Sequence, residues 1–301
     1  MSTSPSPRQK HPSTYVVRDS SHQEELTRLE GQDRLVTASM GGVFPEQPET
    51  INLHRVLDVG CGTGGWLIQV AKEYPATTLL VGADINKTLL DYARSQAVEQ
   101  QVNDRVEFHA MDALSMLEFP PNYFDLVNQR FGMSYIRTWD WPNLLQKLQY
   151  VSRPGGIIRL TEAEIFEGNT PAFTTIYNQL QQAFVNAGHF FSSGPDGVTK
   201  ELSRALHQSG VQNVQTRNYA IEYRVGSPGM ALFFEDVKHM MRVTIPFMQK
   251  WTKFPEDYET LYQQMLLEMQ QPDFVGVWRL LTVWGTAPQG KEKTTSMVQR
   301  N

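Results

Sequence analysis

The chain has 301 residues, 40% hydrophobic and 20% charged, with a formal net charge of −5 and an isoelectric point near 5.8. This is the composition of a globular protein able to bury a full core, and without a Lys/Arg stripe it excludes a disordered chain and speaks against a polyanionic partner such as RNA or DNA. Cys61 is the only cysteine, which excludes an intramolecular disulfide and a multi-cysteine metal site. The absence of an apolar signal stretch and of any membrane-span-length run gives a cytoplasmic expectation, with a small molecule as partner and neither nucleic acid nor membrane.

Residues 1 to 18 are rich in Ser, Pro and basic residues and read as a mobile tail in which Tyr15-Val16-Val17 could dock. Ser21-His22-Gln23-Glu24 fits a capping box, and Leu26, Leu29, Val36 and Met40 continue a helical stripe to Gly41-Gly42. Residues 43–53, with Pro45 and Pro48, read as a linker. Strands and helices then alternate: strand 54–59, helix 64–74 stopped by Pro75, strand 77–83, helix 86–101, strand 105–110, strand 124–129 and helix 143–152. Arg153-Pro154-Gly155-Gly156 reads as a turn delivering the strand Ile157 to Thr161. Such alternation specifies a parallel sheet with right-handed crossovers.

From 164 the pattern changes. Phe173, Ile176, Tyr177, Leu180, Phe184 and Ala187 form a helical stripe, followed by a loop over 188–195 and a helix ending at Gly210. After strand 211–224, two inserted helices are expected. One carries Leu232, Phe233, Val237, Met240, Met241 and Ile245 and is interrupted at Pro246; the other carries Tyr258, Leu261, Tyr262, Met265 and Met269. Residues 274–286 read as the last strand, ahead of a polar tail. No internal repeat is present.

The densest chemistry lies in Val56 to Trp66, a strand, a turn with four glycines and a helix start. Glycine allows positive φ and lets a ligand approach the main chain, while the helix start offers unpaired N–H groups. Gly60-x-Gly62-x-x-Gly65 satisfies the dinucleotide fingerprint. Asp58, however, places a carboxylate two residues before the first glycine, where it would repel a pyrophosphate and suit a cationic guest. Asp58-Val59-Gly60-Cys61-Gly62-Thr63-Gly64 resembles the first motif of the class I S-adenosylmethionine (SAM)-dependent methyltransferases, in which an acidic residue and the glycine loop hold the methionine end of SAM. The Pro-Gly-Gly turn before the fifth strand carries the same resemblance.

The resemblance is strong over residues 54–165 and rests on strand arrangement beyond them. It implies an α/β, Rossmann-like seven-stranded sheet of order 3-2-1-4-5-7-6, last strand antiparallel, with helical N-terminal and lid elements. The expected organisation is a tail and cap helix over 1–53, a SAM-binding core over 54–165, the rest of the sheet with a helical substrate lid over 166–286 (insertion 226–272), and a tail over 287–301.

Asp58, Gly60, Cys61, Gly62 and Gly64 form the implied methionine-end wall. Asp84 ends the second strand 20 positions after Gly64 (84 − 64) and suits a ribose diol, with a helix N-cap as its alternative role and Asn86 as a competing cap. Ile85 would lie against the adenine. The resemblance places Asp112 at the adenine amino group, with Met111 and Ala113 beside it. Asn128 and Gln129 end the fourth strand, where the backbone of Asn128 would receive the methionine amino group; Arg130 is either part of the site or a structural ion pair. The N-terminal helix would cover the cleft and Tyr15 would close over SAM.

Methyl transfer is an in-line displacement at a sulfonium, so the protein aligns the acceptor, excludes water and, where needed, takes a proton. Candidates for that proton are Glu162, Glu164, His189 and His239, with Tyr135 orienting the acceptor; none has a motif behind it. Glu162 stands at the fifth strand's end, and His189 adjoins Phe190-Phe191 in the lid loop. The aromatic- and methionine-rich insertion is either lid core or substrate box. As a box it implies an apolar acceptor, such as a natural-product precursor in secondary metabolism. No His, Asp or Glu pair has metal-ligand spacing, so no metal is expected. A homo-oligomer would form through the N-terminal helix or lid. The expected activity is SAM-dependent methylation of a hydrophobic small molecule, yielding S-adenosylhomocysteine (SAH), with O-, C- and N-transfer open. The alternatives are a SAM-binding, non-methylating enzyme of cyclase type, a regulatory protein on the same fold, or a NAD-dependent oxidoreductase using Gly60, Gly62 and Gly65.

Overall fold

The computed structural model describes residues 23–47 and 52–289; Tyr15, Ser21 and His22 lie outside the described residues. Helix α1 (Gln23–Met40) precedes an alternating series: β1 (Arg55–Val59), α2 (Gly65–Glu73), β2 (Leu79–Asp84), α3 (Lys87–Glu99), β3 (Val106–Ala110) and β4 (Phe124–Arg130). A 3-10 turn (Gly132–Ser134), α4 (Trp141–Val151) and β5 (Ser152–Ala163) follow. The C-terminal half holds β6 (Glu167–Gly168), α5 (Pro171–Asn186), α6 (Thr199–Ser209), β7 (Gln212–Arg224), α7 (Met230–Val243), α8 (Ile245–Trp251), α9 (Tyr258–Glu268) and β8 (Val275–Thr286).

Strands β3-β2-β1-β4-β5 are parallel neighbours, and β8 runs antiparallel to β5, β6 and β7. With the two-residue β6 set aside, this is the expected 3-2-1-4-5-7-6 order. The centre of the sheet is apolar on both faces: Val56, Leu57 and Val59 of β1 and Leu126 and Val127 of β4 are fully buried, as a parallel sheet covered by helices requires. Trp66, Leu67, Ile68, Val70 and Ala71 bury the inner side of α2. Asn86 caps α3, its carboxamide oxygen accepting from Thr88 N and Leu89 N, which leaves Asp84 out of the cap. Among the described residues no helix is long and apolar enough to cross a membrane.

Three expectations change. Arg153-Pro154-Gly155-Gly156 is the start of β5 rather than a turn before it. Pairing with β4 jumps from Phe124–Ser152 to Leu126–Ile157, so the extra residues bulge out, with Gly155 at φ 72°. A Cβ on Gly156 would meet the Phe124 and Asp125 carbonyl oxygens at 3.0 and 3.1 Å. Residues 43–47 are packed rather than linking: Phe44 sits edge-on to Trp66 and Tyr74, and Val43, Phe44 and Leu53 are buried. The insertion holds three helices, because Pro246 occupies the first turn of α8, where its missing N–H costs nothing.

Candidate active site

A cavity of about 880 Å³ opens beyond the C-terminal ends of the parallel strands, with α1, α5 and α7 contributing the facing wall. Ligands of open α/β sheets bind at this edge, and the volume falls in the upper part of the usual range of about 300–1,000 Å³ for small-molecule sites.

The strand-side wall is backbone and carboxylate. Gly60 and Gly62 border the cavity at φ 72° and 54°, conformations that penalise a side chain. A Cβ on Gly60 would stand 2.5 Å from the Tyr135 hydroxyl, which lies over the loop. Gly64 (φ 75°) is outside the lining; a Cβ there would meet the Phe108 ring at 2.6 Å, so this glycine lets α2 approach β3. Asp58 faces the cavity from the end of a buried chain: Asn128 Nδ2 donates to Asp58 Oδ1 (2.7 Å), Arg159 Nη1 donates to Asn128 Oδ1 (2.9 Å), and Arg159 pairs with Glu46 (2.6 Å). Burial pushes the Asp58 carboxyl up to about 7, against the opposing pull of Arg130 and the Asn128 hydrogen bond.

Asp84 accepts from Gly62 N (2.9 Å) and Asn86 N (2.8 Å), one bond to each oxygen. Each oxygen retains acceptor capacity toward the cavity. Burial raises its pKa as well. Ile85 is 61% exposed beside it, an apolar side chain on the cavity wall. Asp112 closes a short turn onto Leu114 N and the Ser115 hydroxyl, both at 2.9 Å, between Met111 and Ala113 on the same wall. Cys61 also borders the cavity.

Besides Gly64, four expected residues lie elsewhere. Asn128 and Gln129 are fully buried and outside the lining; their side chains brace Asp58 and Glu162 from beneath, and Arg130 and Phe131 border the cavity instead. Glu162 is fully buried and accepts from Gly132 N (2.7 Å), Met133 N (3.0 Å) and Gln129 Nε2 (3.0 Å). Burial pushes it to about 7 against those three donors. It holds the 3-10 turn that carries Tyr135 and does not face the cavity. His189 is likewise buried, its Nδ1 3.1 Å from the Ile136 carbonyl oxygen, and burial with the nearby Arg137 charge pulls it down to about 4. A neutral, enclosed imidazole cannot reach an acceptor. Tyr135, Glu164 and His239 do border the cavity, and burial raises the pKa of Glu164, whose carboxylate accepts from the Thr199 hydroxyl at 3.1 Å.

The facing wall is aromatic: Phe131, Phe166, Tyr177, Phe184 and Trp278. Phe131 adopts φ 57°, a conformation costly for a bulky residue, and stacks on Trp278 (5.7 Å), which stacks on Phe166 (4.5 Å). Sequence reasoning missed Arg28, Gln32 and Asp33, which enter from α1. Arg28 and Gln32 both bond Asp236 of α7, and Asp33 pairs with Arg130. Arg28 and Gln32 stand one helical turn apart, a polar pair beside the apolar stripe, which was the available signal. Among the described residues no cluster of three His, Cys, Asp or Glu could hold a metal.

A methyltransferase-domain family model matches residues 56–156. The chain is 30% identical over 181 residues to the demethylmenaquinone methyltransferase of Lactiplantibacillus plantarum, covering 56% of this chain and 74% of that protein. It is 31% identical over 161 residues to the ubiquinone/menaquinone biosynthesis C-methyltransferase UbiE of Ectopseudomonas mendocina, covering 53% and 58%. The fold is shared with Haemonchus contortus phosphoethanolamine N-methyltransferase 2, solved with SAM, at a TM-score of 0.53 and 18% identity over 93% of this chain and 61% of that longer one. The chain belongs to the class I SAM-dependent methyltransferases, and its cofactor is S-adenosylmethionine.

Proposed function

We propose that the strand-side wall holds SAM and that the aromatic wall holds a hydroxylated aromatic small molecule, which the enzyme methylates on carbon or oxygen. The observation that carries this reading is the division of one cavity into an acidic, glycine-rich side and an aromatic side. The residues fit the cofactor: the cradle at Gly60 and Gly62 leaves the main chain accessible, and the buried Asp58 carboxylate is a counter-charge for an ammonium. Asp84 would accept from the ribose diol, Asp112 from the adenine amino group, and Ile85, Met111 and Ala113 would flank the ring. Bound SAM supplies an activated methyl on a sulfonium.

The chain's own work is then positioning. Tyr135, held above Gly60 by the Glu162-braced turn, orients the acceptor where the two walls meet. Glu164, one residue past the end of β5, takes the acceptor's hydroxyl proton, and its burial-raised pKa suits that role. The stacked Phe131, Trp278 and Phe166 exclude water from the acceptor. The relatives' names point to quinone precursors and the sequence reading to secondary metabolites; both supply such a ring. Assay of labelled-methyl transfer from SAM to a panel of naphthohydroquinones, benzohydroquinones and plant- or polyketide-type phenols is expected to give a methylated ring product. SAM binding without transfer to any member would favour the non-methylating, cyclase-type reading.

A further inference from the structure

Three guanidinium groups border the cavity, and they are not equivalent. Arg28 pairs with Asp236, and Arg130 pairs with Asp33 and donates to Thr37 Oγ1 at 3.2 Å. Arg137 pairs with nothing comparable. It is 8% exposed, no described carboxylate lies within ion-pair distance of it, and its Nε is buried without a hydrogen-bond partner among the described residues. Its cation lies 5.1 Å from the Trp139 ring. The nearby Asp140 accepts from the backbone N–H of Arg137 at 3.3 Å rather than from the guanidinium.

A guanidinium stays charged at any physiological pH, so burial without an ion-pair partner leaves its desolvation only partly offset. Burial does pull its pKa down, against the field of Asp140. Proteins retain such a charge where something else supplies the anion. Thr138 N donates to the Gly188 carbonyl oxygen at 2.8 Å and the Trp139 ring lies against Gly188, which sets Arg137 beside the loop that follows α5, whereas Asp58, Asp84 and Asp112 stand at the ends of β1, β2 and β3. Arg137 therefore belongs to the aromatic half of the cavity.

We propose that Arg137 anchors an anionic oxygen group, a carboxylate or a phosphate monoester, carried by an otherwise apolar acceptor. The proposal rests on the reading that the aromatic wall holds the acceptor. A planar fork of N–H donors matches either group in bidentate fashion, and the fixed anchor sets which ring atom faces the methyl donor.

The test uses the full chain with and without SAH, titrated calorimetrically with naphthoate, naphthyl phosphate and naphthol, three probes that share one apolar body. At least one anion is expected to bind about tenfold or more tightly than naphthol, and the tighter of the two identifies the group. Arg137→Gln should erase the preference while SAH affinity stays unchanged; Arg137→Lys should keep part of it, separating lost charge from a damaged fold. Equal affinity for all three probes in the native protein, or a preference that survives Arg137→Gln, would overturn the assignment. Failure of the native protein to bind SAH would instead break the cofactor reading, and the titrations without SAH would still decide the role of Arg137.

Discussion

The two walls of the cavity are made of different materials by different routes. The side proposed to hold the cofactor draws on residues 58–115, where strand ends and tight turns present main-chain groups and carboxylates in a fixed order. The facing side gathers Arg28, Phe131, Glu164, Tyr177, His239 and Trp278 from most of the chain's length, joined only by packing. The first wall is local backbone geometry, which a short motif encodes. The second depends on how α1, α5 and α7 meet, and no short stretch encodes that.

The sharpest break in this contrast comes from Asp58→Asn. Removing the buried counter-charge is expected to weaken SAM binding by about 3 kcal/mol, the usual cost of leaving a buried charge unpaired, as read by calorimetry. The variant should keep or raise its melting temperature above pH 7. A carboxyl held near 7 in the fold and about 4 when unfolded contributes stability below its unfolded value and loses it as pH rises through about 7. Glu162→Ala strips the acceptor from Gly132 N, Met133 N and Gln129 Nε2 and should cost about 2–4 kcal/mol in urea denaturation. Glu162→Gln, which keeps one acceptor oxygen, should retain methyl transfer; a dead but folded Glu162→Gln would restore Glu162 as the base.

Asp84→Ala should weaken SAM by about 1–3 kcal/mol through lost ribose hydrogen bonds. Unchanged affinity would confine Asp84 to its bonds with Gly62 and Asn86. The smallest effect is expected from Asp236→Ala, which frees Arg28 and Gln32 from α7. It should raise KM for the acceptor several-fold, about 1 kcal/mol, with SAM affinity unmoved; an equal loss for both ligands would erase the distinction between the walls.

These differences follow what was legible. Asp58, Gly60, Gly62, Asp84 and Asp112 are readable as cavity-lining positions because they stand at or just past the ends of β1, β2 and β3, so spacing along the chain carries over to the wall they form. Alternation specifies the parallel arrangement for the same reason, while the strand order is what the family resemblance implies. Glu162 and His189 were misjudged because strand ends and lid loops bring residues near a site without saying which way the side chain turns. Glu162 turns inward to a 3-10 turn, and His189 toward the Ile136 carbonyl. Asn128 turns its side chain to Asp58 beneath the cavity, and Arg130, two residues on, borders the cavity. Arg137 carried no signal, since its isolation is a property of what the fold does not place beside it.

The central claim is that Asp58 meets the cofactor's ammonium, and proton exchange on binding tests it most directly. Calorimetry of SAM binding near pH 6, repeated in buffers of different ionisation enthalpy, should show release of most of one proton per SAM, with affinity rising as pH approaches about 7. Asp58→Asn should abolish that release. Binding that releases no proton, or an equal release in Asp58→Asn, would contradict the account.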